Sequence, residues 1–366
     1  MLFNYRKIGL KRIDTYIIAK FLGTYFFSIV LILSISVVFD LTEKLDNFFD
    51  NNAPLHAIIF DYYLNFIPFY MNMFSPLFVF ISVIFFTSKM AGNTEIIAIL
   101  ASGVSFRRLM LPYFLSALLI SIISFTLGAY VIPHSTEKML DFEDLYVKKI
   151  KQSHARNVQM EVEHGVILYI ERFEVETNTG YRFSLEKFDG KTLVSRLTAE
   201  SIKWDSAYNW TLNTYLQRNF NGMYESISRG ASLDTIINVE PFEFFITSAE
   251  SPKMTVSELG GYLKRQKNRG VGNIQAFADE YYKRFTMPLA AFIMTLIGVS
   301  LSSRKVRGGM GLHLGVGLAL SSLYILFSTF STTFSVSGLM SPFLAAWLPN
   351  ILFLAVGIYL YRTAPK

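Results

Sequence analysis

Residues 16–39 read YIIAKFLGTYFFSIVLILSISVVF, an apolar stretch whose one charged side chain is Lys20. A helix of about 20 such residues crosses the roughly 30 Å hydrocarbon core of a membrane. The stretch is too long for the core of a signal peptide, and no small-residue cleavage site follows it. It therefore predicts a retained transmembrane helix and places the chain among membrane proteins.

Five further apolar stretches extend this interpretation to six transmembrane helices. The second contains Pro68 and Pro76, which predict kinks that neighbouring helices can accommodate. The third is expected to end at Pro133. The five stretches are residues 56–88, 109–132, 285–301, 310–330 and 342–361.

The composition excludes several classes of protein. Of 366 residues, 52% are hydrophobic and 17% are charged, and there is no cysteine. A soluble domain carries about 25% charged residues, and a chain without cysteine has no disulfide, thiolate metal site or cysteine nucleophile. The net charge is +6, but acidic residues outnumber basic ones within 134–253. The basic excess therefore belongs to the membrane part, where it needs no nucleic-acid partner.

The charges of the connecting segments predict the orientation. Lys and Arg accumulate on the cytoplasmic side of membrane helices. The opposite short loops are acidic after span one and uncharged between Ser331 and Ser341. Both termini are therefore expected in the cytoplasm and residues 134 to about 275 outside it. The basic residues on the predicted cytoplasmic side are Arg6, Lys7, Lys11, Arg12, Lys89, Arg107, Arg108, Arg304, Lys305, Arg307, Arg362 and Lys366.

The segment between spans three and four has the two-residue alternation of β-strands. Turn residues occur at Asp189-Gly190 and Asn221-Gly222. The connections are too short for crossover helices, so about eight antiparallel strands in an up-and-down or jelly-roll arrangement are favoured over a parallel sheet. The alternating stretches are VQMEVE (158–163), VILYIERF (166–173), YRFSLEKF (181–188), TLVSRLTAESIKW (192–204) and WTLNTYLQRNF (210–220).

A polar linker helix is predicted after the β domain. Residues 255–258 read TVSE, which has the spacing of a capping box, and Gly270 and Gly272 predict a break before span four. The predicted organisation is 1–133 for spans one to three with a short helix at about 92–102, 134–254 for the β domain, 255–278 for the linker, and 279–366 for spans four to six.

Nucleotide and metal sites are not predicted. Residues 308–317 read GGMGLHLGVG, which matches neither a Walker loop nor GxGxxG and is better explained by close helix packing. The 5 histidines lack the spacing of metal ligands. No catalytic residue and no bound cofactor are therefore assigned to the chain.

The loop between spans two and three is the most informative short segment. Residues 88–112 read SKMAGNTEIIAILASGVSFRRLMLP, with a helix predicted over 94–101 and Gly103 as its C-cap. Glu95 near the helix start has two interpretations. It is either a first-turn carboxylate that complements the helix dipole, which the spacing alone favours, or part of a coupling helix that docks into a cytoplasmic motor subunit.

This loop and three other segments carry a family resemblance. With YLNFIPFYMNMFSPLFVFISVIFF (63–86) before it, the loop resembles the LptF/LptG permease family, the membrane subunits of the lipopolysaccharide export ABC transporter. The start RIDTYIIAKFL (12–22) is more similar to the LptG branch. The other matches are ADEYYKRFTMPLAAFIMTLIGVSLSSRKVRGGMG (278–311) with its acidic-x-x-x-Arg-x-x-x-Pro pattern, SPFLAAWLPNILFLAVGIYLYR (341–362), and AESIKW (199–204) in the β domain.

The resemblance implies a polytopic α-helical membrane protein with six transmembrane helices and an inserted extracytoplasmic antiparallel β jelly-roll domain. It implies a multi-pass inner-membrane location, a periplasmic β domain, and no ATPase of the chain's own. The implied partners are an LptB-like ATPase dimer that uses ATP and magnesium, an LptF-like second permease, an LptC/LptA-like periplasmic bridge protein, lipopolysaccharide and membrane lipid.

The resemblance also assigns site residues. Glu95 occupies the position of the coupling-helix acid, and the residues expected to contact the ATPase with it are Ile96, Ile99, Leu100, Gly103 and Arg107. The LptG branch places basic side chains near the outer end of span one, where this chain reads VVFDLTEKLDNFFD (37–50) with Lys44 as the one basic residue. Lys44 and Asp40 are assigned to the substrate surface. The surrounding carboxylates predict a weak phosphate contact, which a divalent cation could bridge.

Inward-facing strand residues are the remaining substrate candidates. Val166, Leu168 and Ile170 alternate along one strand, with Leu193 and Leu197 on another. They are expected either to contact acyl chains or to form ordinary sandwich core.

Two other functional classes remain open. One is a permease for a different amphiphile, such as a lipoprotein or another glycolipid, which co-purifying lipid would identify. The other is an anchored scaffold without transport, which would need no coupling helix.

Overall fold

The computed structural model describes residues 11–148, 154–245, 248–269, 274–303 and 309–364. These residues fall into two compact units. The helical unit contains the chain up to Lys148, the short segment Pro252–Val256 and the chain from Ala278 onward. The β unit contains the strands and the segment Ser257–Phe277.

Six helices among the described residues are long and apolar enough to span a membrane, which confirms the six-helix prediction. A short helix, α3, connects the second and third of them, and α5 follows the β domain. The helices are α1 (Arg12–Asp50), α2 (Leu55–Gly92), α3 (Glu95–Ala101), α4 (Phe106–Tyr146), α5 (Val256–Arg269), α6 (Gln275–Ser302), α7 (Gly309–Val336) and α8 (Pro342–Thr363).

The third membrane helix is longer than the sequence predicts. It continues through Pro133 to Tyr146, so the boundary at residue 134 is wrong and the first strand begins at His154. A proline inside a helix clashes with the carbonyl four residues earlier. Here the backbone forms a π-helical turn over Leu127–Val131, directly before the proline. Such local widening lets a membrane helix continue past proline.

The core of the helical unit is built from the inward faces of α1, α2, α4, α6, α7 and α8. Small residues allow the closest approaches. A Cβ added at Gly317 on α7 would lie 2.3 Å from Cδ1 of Ile84 on α2, and one added at Gly298 on α6 would lie 2.8 Å from Val83 Cγ1. Residues 309–317 of the glycine-rich stretch are helical, and Gly317 makes the predicted close approach, whereas a Cβ at Gly311 or Gly315 would meet nothing within 4 Å.

The β unit contains one six-stranded antiparallel sheet in its described residues. Each strand pairs with its sequence neighbours, so the connectivity is up-and-down. Gly190 (φ +60°) and Gly222 (φ +63°) occupy the two predicted turns. The strands are β1 (His154–Glu163), β2 (Val166–Glu174), β3 (Thr179–Asp189), β4 (Thr192–Ser206), β5 (Asn209–Asn221) and β6 (Tyr224–Ile236).

The estimate of about eight strands is too high for the described residues. Residues 134–146 extend α4, and two short 3-10 turns follow β6 at Pro241–Phe245 and Ser248–Lys253. The predicted linker helix is present as α5, beginning directly after Thr255. The predicted break at Gly270 and Gly272 lies outside the described residues, as does the basic loop at 304–307.

Candidate coupling and transport sites

The loop between α2 and α4 contains the short helix that the sequence predicts. Thr94 precedes it in the left-handed region (φ +62°), and Gly103 follows it at φ +88°. The amide of Gly103 donates to the carbonyl of Leu100 at 3.0 Å. Two left-handed residues therefore separate α3 from the long helices on either side.

Glu95 lies at the start of α3 and is half-buried. The Asn93 side-chain amide donates to its Oε1 at 3.1 Å, and the Tyr16 hydroxyl lies 3.5 Å from its Oε2. A carboxylate at this position complements the positive end of the helix dipole. The polar partners come from α1 and the loop, so Glu95 also ties α3 to the start of α1.

The apolar residues assigned to ATPase docking face the chain's own interior. Ile96 is 1% exposed in the helical core, and Ile99 and Leu100 pack against that core. The helical period puts these three residues on one face of α3, and that face is buried. The exposed side chains are Ile97, Ala98 and Ala101, so we define the α3 outer face as Glu95, Ile97, Ala98 and Ala101.

Arg107 lies at the first turn of α4 with its side chain exposed. It lines the rim of an apolar groove of about 550 Å³ between α4, α6 and α8. Met110, Phe114 and Tyr361 form part of the groove wall. Gly103 is exposed in the loop before α4. Both residues are therefore accessible beside α3.

A partly buried ion pair next to α3 was not anticipated from the sequence. Arg108 Nη1 donates to Asp14 Oδ1 at 2.8 Å, and Arg108 Nη2 donates to Oδ2 at 2.5 Å. Asp14 is 3% exposed and also accepts from the backbone amide of Lys11 at 2.8 Å. In the sequence Arg108 is one of several loop cations, and its contact between α1 and α4 distinguishes it from Arg107.

Lys44 belongs to a polar network at the C-terminal end of α1. Its ammonium lies 2.7 Å from Glu143 Oε1 and 3.1 Å from Asp40 Oδ1. It also donates to the Tyr62 hydroxyl, while the Tyr63 hydroxyl donates to Asp40 Oδ2 at 3.2 Å. The network joins α1, α2 and α4. Two carboxylates therefore already neutralise the cation assigned to lipid phosphate.

The sequence did not predict that Glu143 contacts Lys44. Glu143 lies beyond Pro133, where the third helix was expected to end. Lys148 pairs with its Oε2 at 3.2 Å. The Asn51 side chain donates to the Tyr146 carbonyl at 2.7 Å, which fixes the end of α4 against the end of α1. The network is thus part of the packing between the helices.

Of the β-strand candidates, Leu168, Ile170 and Leu197 lie inside the sheet's own core, whereas Leu193 is only half-buried. Leu168 and Ile170 are each 0% exposed, and Val166 packs against the same cluster. Trp210 and Phe173 complete its aromatic part, with ring centroids 6.3 Å apart. This placement matches the ordinary core interpretation. A lipid contact by these residues would require the core to open.

The sheet has two strands without a neighbour on one side, β1 and β6, in the described part of the chain. Most residues of β6 are exposed. Across the last hairpin, Arg218 donates to both carboxylate oxygens of Glu225. These hydrogen bonds keep the pKa of Glu225 below its usual value.

The acidic-x-x-x-Arg pattern before span four has a structural role. Arg284 is buried, pairs with Glu280 at 3.2 Å, and donates to the carbonyls of Pro252 and Met254. It therefore attaches the segment that returns from the β unit to the start of α6.

The Trp-Leu-Pro-Asn element also joins helices. The Asn350 side chain donates to the Thr286 carbonyl at 2.8 Å, and the Tyr324 hydroxyl lies 2.9 Å from Asn350 Oδ1. Asn350 on α8 thus links α6 and α7 inside the bundle.

The described residues contain no group of three or more His, Asp or Glu that could hold a metal ion.

Comparison with known proteins identifies the family. No curated protein matches the chain. The family model described as "Lipopolysaccharide export system permease LptF/LptG" matches residues 15–363, nearly the whole chain. Its extent covers all six membrane helices, α3 and the inserted β sheet. The chain therefore belongs to the LptF/LptG family of lipopolysaccharide export permeases.

Proposed function

We propose that the chain is a permease subunit of an ATP-driven transporter. It extracts lipopolysaccharide from the inner membrane of a Gram-negative bacterium and passes it to a periplasmic bridge toward the outer membrane. The observation that carries this proposal is α3, a short helix with an exposed outer face, held between α2 and α4 beside the Asp14–Arg108 ion pair.

The need for an external energy source follows from the substrate. Each buried CH₂ of an acyl chain contributes about 0.8 kcal/mol to membrane anchoring. A lipid with several chains is therefore held by some tens of kcal/mol and does not leave through water. No nucleotide motif occurs in the sequence. We infer that an LptB-like dimer hydrolyses ATP with magnesium and docks on the α3 outer face.

The extraction cavity is formed with a second, LptF-like permease in this proposal, and the chain itself is the LptG-like half. The resemblance of RIDTYIIAKFL (12–22) supports that choice. The free edges of β1 and β6 support transfer to an LptC/LptA-like bridge, because an unpaired edge can accept another strand.

We further propose that both termini are cytoplasmic and the β domain is periplasmic. Lys89, Arg107 and Arg108 flank α3, and the ion pair between Asp14 and Arg108 places the start of α1 at the same end of the bundle. Basic residues at this end satisfy the positive-inside rule.

Reconstitution tests the proposal. The full-length chain is co-expressed with its candidate ATPase and second permease, purified, and placed in liposomes containing lipopolysaccharide. We expect ATP-dependent release of lipopolysaccharide to a soluble bridge domain. Release of a lipoprotein or phospholipid in its place, or co-purification with no ATPase, would contradict the proposed function.

A further inference from the structure

A cavity with a mostly apolar lining and a few polar groups lies within the helical unit, and its lining residues belong neither to α3 nor to the Lys44 network. It has a volume of about 220 Å³ and is enclosed by α2, α4 and α6. At about 30 Å³ for each water molecule, it has room for a small polar group. Phe69, Met73 and Ile132 form its apolar wall, and Asn72 and Lys283 are among its polar groups.

The backbone is irregular on two sides of this cavity. The π-helical turn Leu127–Val131 of α4 contains the lining residue Gly128, and the 3-10 turn Met287–Leu289 of α6 contains Met287 and Pro288. π-Helical turns occur frequently at functional sites. Gly128 leaves its side of the cavity open, because a Cβ there would lie 3.6 Å from Asn72 Nδ2.

Asn72 presents an almost unused donor to the cavity. Its side chain is 8% exposed, and the Ser124 hydroxyl donates to its Oδ1 at 2.6 Å, which fixes the amide plane. Among the described residues, Nδ2 donates to the thioether sulfur of Met287 at 4.0 Å, a weak contact. A buried amide donor without a good acceptor is unfavourable. A ligand that accepts a hydrogen bond would satisfy it.

The charged groups beside the cavity balance one another. Lys283 pairs with Asp279 at 2.9 Å, and Arg284 pairs with Glu280 at 3.2 Å. Lys283, Arg284 and Glu280 line the cavity, and the Lys283 side chain is 33% exposed. With Asp279 behind the lining, these four paired groups sum to zero net charge, which suits a ligand that is itself neutral overall and carries both signs. An anionic lipid would leave one negative charge uncompensated.

We propose that this cavity binds the headgroup of a zwitterionic phospholipid. The phosphate accepts hydrogen bonds from the Asn72 amide and Lys283, and the ammonium group is placed beside Glu280. The acyl chains continue along Phe69, Met73 and Ile132. This lipid is a bound component of the permease, distinct from the transported lipopolysaccharide.

Native mass spectrometry of the full-length chain, purified with its partners, tests the site. The protein is incubated with phosphatidylethanolamine or phosphatidylglycerol of identical acyl chains, and retained lipid is counted. We expect about tenfold preferential retention of phosphatidylethanolamine, as the two neutral ion pairs beside the cavity imply. Asn72→Leu and Gly128→Ala should each lower this retention about fivefold or more.

Gly128→Ala is the second variant, in case Asn72→Leu fails to fold. Its added Cβ would lie at an ordinary contact distance from the Asn72 amide, so this variant should fold. Gly23→Ala on α1 is the matched control, since a Cβ there meets nothing within 4 Å. Equal retention of the two phospholipids, or wild-type retention in Gly128→Ala, would overturn the proposal. One-for-one displacement by added lipopolysaccharide would also overturn it, by assigning the cavity to the transported lipid.

Discussion

Arg108 and Asp14 form a two-point ion pair between the first turns of α4 and α1, with N–O distances of 2.8 and 2.5 Å. The guanidinium is partly exposed and the carboxylate is buried. Arg108 also belongs to the segment that follows α3 directly, so the pair fixes one end of the candidate coupling loop to the rest of the bundle.

Replacing Arg108 with alanine should destabilise this end of the helical unit. Among the described residues, the substitution leaves the buried carboxylate of Asp14 with the backbone amide of Lys11 as its remaining hydrogen-bond donor. We expect the free energy of unfolding to fall by about 1.5–3 kcal/mol, which is typical of a hydrogen bond to a charged group. The measurement is a lower unfolding temperature in detergent. Arg108→Lys should recover part of this loss, because lysine keeps the charge but not the two-point geometry.

Arg107→Ala is the matched control for that experiment. Its side chain is exposed on the neighbouring position, so the expected change is about 0.5 kcal/mol or less. A double-mutant cycle with Asp14→Asn should give a coupling energy for Arg108 and none for Arg107. Equal effects of the two arginines would show that the ion pair does not stabilise the loop.

Lys44→Ala should reduce stability more than lipid recognition. The ammonium is shared between Asp40 and Glu143, so its removal leaves two half-buried carboxylates near each other. Lipid-stimulated ATPase activity at saturating divalent cation should survive, while the unfolding temperature falls. The double variant Lys44→Met/Glu143→Gln should unfold at a higher temperature than Lys44→Ala, because it removes one of the two carboxylates left without a counter-charge. Abolished lipid stimulation in stable Lys44→Ala protein would assign this lysine to the substrate.

The free edges of the β sheet should mediate contact with a periplasmic partner. The chain has 0 cysteines, so single cysteines can be introduced without background. We expect a cysteine at Gln159 on β1 or Ser228 on β6 to cross-link to a bridge protein carrying a cysteine on its own edge strand. A cysteine at Thr198 on the central strand β4 is the control. Cross-linking from Thr198 alone would exclude edge-to-edge pairing.

The helices and strands were predictable because their signals are local. Apolar length located all six membrane helices, and alternation with Asp189-Gly190 and Asn221-Gly222 located β1 to β5. The end of α4 was not predictable, because a proline ordinarily ends a helix and the π-helical turn that accommodates Pro133 has no sequence signature.

The site residues likewise divide into those that local sequence signals predict and those that only the folded chain brings together. The position and caps of α3 follow from Gly103 and the helical pattern, but its buried face could not be distinguished from a docking face by spacing. A buried face and a docking face both carry apolar residues at the helical period. The partners of Lys44 and Asp14, Glu143 and Arg108, are distant in sequence, so only the folded chain brings them together.

Glu95→Ala tests whether α3 couples ATP hydrolysis to transport. If the carboxylate is buried against the ATPase, its truncation costs about 2–5 kcal/mol, which weakens docking roughly 30-fold or more. The permease should still fold and insert, because the hydrogen bonds of Glu95 to Asn93 and Tyr16 lie at the surface. Ile97→Asp on the α3 outer face should have a similar effect.

The most direct measurement compares wild-type and Glu95→Ala complexes in liposomes, scoring ATP turnover and lipopolysaccharide transfer in the same sample. Glu137→Ala, an exposed glutamate near the far end of α4, serves as the control. We predict that Glu95→Ala loses ATPase binding or hydrolyses ATP without transfer, while Glu137→Ala behaves as wild type. If Glu95 only complements the helix dipole, its loss costs about 0.3–1 kcal/mol of local stability. Wild-type transfer by the Glu95→Ala complex would contradict the coupling role.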